Sequence, residues 1–232
     1  MAQADELVET SRQAVRLSIV DSLLSRREAV QLMNAIAIGY RVSRDHVNES
    51  CTAPVAKNLL PHAREAAVVD RVAEVAKRWD GWDVNFRLNA TRNWSYLELS
   101  RGIFRLSCSF VPHLNAIPRQ AVFRNRLAGR SQLDLFGNDE QVDPSDGYVY
   151  GIIVHGEHPN GDGTPGFVHI GFPDSLGKAW SGRPIDLCSY FRIDASEAFD
   201  RFGIDDEFVV DEVRPRLKQT TCKSSEPCRV DS

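Results

Sequence analysis

Between Asp5 and Arg44 the apolar residues Leu7, Val8, Ala14, Val15, Leu17, Ile19, Leu23, Leu24, Val30, Leu32, Met33 and Ile36 recur at the spacing of a helix that buries one face. Two helices are expected there. Ser25-Arg26-Arg27-Glu28 has the form of a capping box, which either opens the second helix or sits within a single long one. A polar segment from Ser43 to Pro61 interrupts the pattern. It resumes from Ala63 to Trp79 through Ala66, Val69, Val72, Ala73 and Val75, and Asp80-Gly81 stops it.

Beyond Gly81 the period changes to two. Val84, Phe86, Leu88 and Ala90 alternate with polar residues, as do Phe104, Leu106, Cys108 and Phe110, the pattern of strands with one buried face. Tyr96-Leu97-Glu98-Leu99 lies between them with a turn at Ser100-Arg101-Gly102, so a three-stranded meander is expected. Tyr148 to His155 and Phe167 to Phe172 then form a hairpin around Pro159-Asn160-Gly161-Asp162-Gly163. Ser196 to Phe202 reads as a short helix closed by Gly203, and Glu207 to Val213 as a last strand. The fold class these elements give is α+β: a helical N-terminal layer, residues 1–80, packed on an antiparallel β-sheet region with short helices, residues 81–213. Whether these make one domain or two stays open. Residues 214–232 are polar, lack apolar periodicity and read as a flexible tail.

In the middle of the sheet region one segment has a different character. Arg119 to Ala128 reads as a short helix, with Pro118 near its start and Gly129 where a glycine cap falls. Residues 137–147 are acidic and full of turn formers, hence a solvated loop. Between them stands Gln132-Leu133-Asp134-Leu135-Phe136. In an extended segment, expected to be exposed over 131–137, the Gln amide hydrogen-bonds at a pocket rim while Leu and Phe fill an adjoining apolar cleft. Apolar side chains on such a loop call for a partner. The alternative is a short strand or turn packed on the protein's own core.

The chain has 232 residues, 42% hydrophobic and 26% charged, which excludes disorder as a whole and allows one sizeable core or two small ones. A net charge of −4 and a pI near 5.9 provide no basic field for direct nucleic-acid binding. The longest apolar run, Ala35 to Ile38, is far too short to span a membrane, and the amino terminus has no leader pattern, so a cytoplasmic location is expected. The five cysteines, Cys51, Cys108, Cys188, Cys222 and Cys228, are scattered and suggest reduced thiols.

Candidate catalytic chemistry is confined to His155-Gly156-Glu157-His158, with His169 on the facing strand and Asp162 in the turn; imidazole and carboxylate together bind metals or move protons. The spacing is poor for a metal pair, and turns are rich in such residues anyway. No nucleophile elbow and no phosphate loop occur, and Asp200, Asp205, Asp206, Glu207 and Asp211 read as a solvated face. No catalytic residue, metal ligand or cofactor is therefore assigned. A metal-dependent hydrolase or nuclease built on the His155 hairpin is kept as an alternative. Arg119, Arg124, Arg126 and Arg130 form a locally basic stripe, either a solvated helix surface or a contact that steers an acidic partner.

The pentapeptide resembles the one by which bacterial proteins attach to the DNA polymerase sliding clamp: Gln, an aliphatic residue, a small or acidic residue, then Leu-Phe. Joined to a chain without polymerase, mismatch-repair or ATPase signatures, it resembles the SocB-type toxins of bacterial toxin–antitoxin pairs. The resemblance implies binding to the DNA polymerase III sliding clamp (β subunit), a block of replication elongation, and control by an antitoxin acting as proteolytic adaptor to the ClpXP protease. By the same resemblance Gln132 makes the rim hydrogen bond, Leu133 and Leu135 give apolar contact, Asp134 is a solvent-facing spacer and Phe136 is the deepest anchor. A replication or repair accessory factor recruited to the clamp by the same peptide is the other open reading.

Overall fold

The computed structural model describes residues 2–89, 91–131, 147–158 and 163–194, with side chains from Gln13 onward. Three helices lead: α1 (Ala2–Leu23), α2 (Arg26–Ser50) and α3 (Ala53–Ala76). The capping box opens α2. Ser25 Oγ accepts from the Glu28 amide at 3.2 Å, and Glu28 Oε2 accepts from the Ser25 amide at 2.7 Å.

The polar segment from Ser43 to Pro61 does not interrupt the helices as expected: α2 runs through to Ser50, and α3 restarts at Ala53. Ser43 is accommodated in the core by donating its hydroxyl to Tyr40 O at 2.9 Å. Pro54 sits in the first turn of α3, where its missing N–H costs no helical bond, and Pro61 lies on the exposed side. What aligns α2 with α3 is Gly39. A Cβ there would come within 2.7 Å of Val68 Cα, so the two backbones cross in near contact.

The rest of the described chain is β1 (Asp83–Leu88), β2 (Ser95–Arg101), β3 (Phe104–Phe110), α4 (Val122–Ala128), β4 (Val149–Glu157), β5 (Pro165–Gly171), β6 (Ile185–Asp186) and α5 (Leu187–Phe191). The strands form one sheet in chain order, so the fold is α+β. The three-stranded meander and the β4–β5 hairpin are present. One neighbour pair departs from antiparallel: β3 and β4 run parallel, from Phe104↔Val149 to Phe110↔His155. A parallel pair needs a crossover, and residues 111–148, which include α4, supply it.

Both sheet faces are covered. On one, Leu97, Leu99, Leu106, Cys108, Ile153, Val168 and Ile170 meet Val20, Leu32, Met33, Ile36, Tyr40, Val68 and Val72 of α1–α3 in a single core. On the other, Tyr96, Tyr150, Ile152, Val154 and Phe167 pack under Phe123, Leu127 and Ala128 of α4, with Trp180 alongside. β1 lacks the buried face its alternation suggested. Val84 packs on the helical core, but Phe86 and Leu88 are 49% and 61% exposed because they lie on the sheet's outermost strand. The expected helix at 196–202, the strand at 207–213, the tail at 214–232 and the turn at 159–162 lie outside the described residues.

Candidate functional site

The pentapeptide Gln132, Leu133, Asp134, Leu135 and Phe136 also lies outside the described residues, but both of its flanks are inside them. α4 begins at Val122, three residues later than Arg119, and ends at Ala128, capped by Gly129, whose amide donates to Asn125 O at 2.9 Å with right-handed backbone angles. The glycine does not serve a left-handed turn, and a Cβ there would make a tight 3.2 Å approach to Asn125 O. Immediately before the motif Ser131 forms a parallel bridge with Tyr148, and Ser131 Oγ accepts from the Tyr150 amide at 3.0 Å. The points where the chain leaves and rejoins the sheet are thus held side by side. The arginine stripe is split. Arg119, Arg126 and Arg130 are exposed, whereas Arg124 turns under α4, reaching Arg119 O at 2.7 Å and Ser109 Oγ at 2.9 Å.

The residues of the His155 hairpin do not converge. Val154 is registered opposite His169, so His155 and His169 point to opposite faces of the sheet. His155 is buried on the helical side with Nδ1 3.0 Å from the Tyr40 hydroxyl, and burial, helped by the Arg64 charge, pushes its pKa down to about 3. It is neutral near pH 7. The irregularity at Gly156/Glu157 turns Glu157 toward α3, where Arg64 donates to both carboxylate oxygens at 2.9 and 3.2 Å. The same guanidinium lies 4.5 Å from the centre of the Tyr40 ring. His169, on the other face, stands 3.8 Å from Asp186; burial lowers its pKa and Asp186 opposes that. Among the described residues no three His, Cys, Asp or Glu side chains gather as a metal site would require. Asp162 lies outside them.

A second site was not foreseen. The ladder between β2 and β3 consists of Leu99↔Leu106, Ser100↔Arg105 and Arg101↔Phe104; beyond it β2 continues on β1 to Ser95 while β3 continues on β4 to Phe110. The two strands part like the arms of a V. Between them lies a cleft of about 280 Å³, lined by Glu65 and Val69 of α3, Tyr96 of β2, Cys108 of β3, and Phe123 and Arg124 of α4. Phe86 and Trp94, 49% and 48% exposed, stand at its mouth. Two of its polar groups are buried without a partner: the Tyr96 hydroxyl and Arg124 Nε. Burial holds the Cys108 thiol protonated, its pKa pushed up to about 12. In the sequence the only signal was Trp94 and Tyr96 beside a strand; nothing in residue spacing reveals that two paired strands will separate.

Compared with known proteins, the chain matches no family model, no curated protein sequence and no solved structure. No helix among the described residues is long and apolar enough to cross a membrane.

Proposed function

We propose that this chain is a clamp-binding protein of the SocB type. In this reading it docks on the DNA polymerase III sliding clamp through Gln132-Leu133-Asp134-Leu135-Phe136, displaces polymerases and repair factors that share the pocket, and so blocks replication elongation in the bacterial cytoplasm. Its abundance is then set by an antitoxin that delivers it to ClpXP. The observation that carries the reading is the pentapeptide itself, in which polar Gln and apolar Leu-Phe stand at the separation an extended peptide needs to span a rim and a cleft. The surroundings support it: the motif starts one residue after Ser131, which is fixed to Tyr148 and Tyr150, and the neighbouring Gly129 and Arg130 are exposed. Exposed Arg126 and Arg130 next to the motif add charge that steers an acidic partner.

Changing Gln132, Leu135 and Phe136 together to Ala should abolish capture of purified clamp, a loss of more than about 100-fold for a micromolar contact. The reading requires the melting temperature by circular dichroism to stay within about 2 °C of the parent's. Equal clamp capture by the triple variant sinks the reading. Overproduction separates the two clamp-bound classes: a toxin arrests growth only with the motif intact, and a recruited accessory factor is harmless.

A further inference from the structure

The outer edge of β1 is a surface that the clamp reading does not use. We propose that it pairs with the same edge of a second copy of this chain, in an antiparallel two-fold arrangement centred on Phe86 that joins two sheets into one.

The phase of the backbone comes first. The Asn89 amide donates to Trp94 O at 2.8 Å, so those two residues form a hydrogen-bonded couple of the β1–β2 hairpin. Counting back along the register, Arg87↔Tyr96, Asn85↔Glu98 and Asp83↔Ser100 are hydrogen-bonded couples as well. Val84, Phe86 and Leu88 therefore turn their N–H and C=O groups outward. β1 is the end of the sheet, with no strand among the described residues to receive them. The usual protections of an edge are missing: β1 contains no proline, its register is unbroken, and its one cation, Arg87, is drawn back onto Glu98 of β2 at 3.2 Å. The opposite edge is blunted by brevity, since β6 consists of Ile185 and Asp186 alone.

The strand that fits this edge is its own copy. Because only Val84, Phe86 and Leu88 offer free backbone groups, pairing must set these residues opposite one another. In an antiparallel pair centred on Phe86, Val84 meets Leu88 of the second copy, Phe86 meets Phe86, and Leu88 meets Val84, each couple exchanging two hydrogen bonds. That face is wholly apolar and covers Phe86 and Leu88, the two large apolar side chains that β1 leaves exposed. On the other face Asn85 lies opposite Arg87 and Asp83 opposite Asn89, so no like charges oppose each other. The neighbouring registers are worse. A two-residue slip one way places Arg87 against Arg87. The same slip the other way sets Leu88 opposite Trp82, which is buried in its own core, and loses a hydrogen-bonded couple. Phase, apolar face and charge together select this chain as its own partner.

The test uses the full chain. Sedimentation from about 5 to about 500 μM should show a monomer–dimer equilibrium with a dissociation constant on the order of 10–100 μM, as a small interface gives. Amide exchange followed by NMR reads the phase: the amides of Val84, Phe86 and Leu88 should gain protection as concentration rises, while those of Asn85 and Arg87 stay protected throughout. Phe86→Lys and Phe86→Glu, each alone, should weaken self-association at least about tenfold, because the two-fold sets each charge against itself, and their equimolar mixture should recover a dimer. If a variant does not fold, amide exchange in the parent decides alone. Four results each overturn the proposal: a chain still monomeric at about 500 μM; outward amides equally protected at every concentration, hence covered from within the chain; undiminished association of Phe86→Lys; or a mixture that associates no better than either variant by itself.

Discussion

Arg64 is buried and Arg124 half-buried, and the fold treats the two arginines in opposite ways. Arg64, 4% exposed on the helical side, is forked onto Glu157 and sits over the Tyr40 ring, which in turn meets His155. Arg124, on the α4 side, donates to a carbonyl and a serine and feels the charge of Glu65 without an ion pair among the described residues. The first region pairs its charge with an acid and ties α3 to the end of the sheet, whereas the second holds its charge with neutral acceptors only; in both, the guanidinium Nε is buried without a hydrogen-bond partner among the described residues. What separates them is the acid partner, since a paired charge is stabilised where an unpaired one is not.

The sharpest way to break that comparison is Arg64→Ala. It strands Glu157, strips the cation from Tyr40 and leaves a hole between α3 and β4. With Glu157 still 32% exposed at its side chain, the expected loss is about 2–4 kcal/mol, less than for a fully buried pair. Urea unfolding measures it, and a cost below about 0.5 kcal/mol would mean the pair is incidental. Gly39→Ala comes next, at about 1–3 kcal/mol, because the 2.7 Å approach to Val68 Cα outweighs the gain in helix propensity. An alanine variant as stable as the parent would show that α2 and α3 can part.

Acid gives a smaller, graded effect. His155 is held neutral in the folded state down to about pH 3, whereas unfolding frees it to protonate near its ordinary value. The unfolded chain therefore binds the extra proton between those limits, and stability falls as pH drops, by up to about 1.4 kcal/mol per unit below roughly pH 6. His155→Phe should flatten the slope over that window in pH-dependent urea melts; an unchanged slope assigns it elsewhere. Tyr96→Phe is the smallest and sharpens the contrast. Deleting an unpaired hydroxyl should leave stability within about 0.5 kcal/mol of the parent or raise it slightly. A clear loss would show that the hydroxyl has a partner in solution.

Local grammar made part of this molecule legible. Ser25 and Glu28 sit three apart and cap α2 as their types require, the alternation at 104–110 marks a real strand, and the apolar run at 148–155 marks another. Elsewhere a tertiary contact overrode local preference. The polar run after Ser43 is helical because Tyr40, Ser43 and Val47 carry the buried stripe onward, and because Gly39 lets Val68 of α3 come close. The parallel pairing of β3 with β4 is equally silent in sequence, since alternation is identical in either direction. The cleft was invisible for a related reason: Tyr96, Cys108 and Arg124 are far apart in the chain and meet only because two strands diverge. His155 and His169 are the converse, close in register yet on opposite faces.

The Ser131–Tyr148 bridge has one more consequence. It brings the two ends of residues 132–147 side by side, and because the bridge is parallel the chain between them has to double back, so that stretch needs length but no particular sequence for β3, α4 and β4 to meet. A Gly/Ser segment of the same length in its place would yield a scaffold lacking the motif altogether.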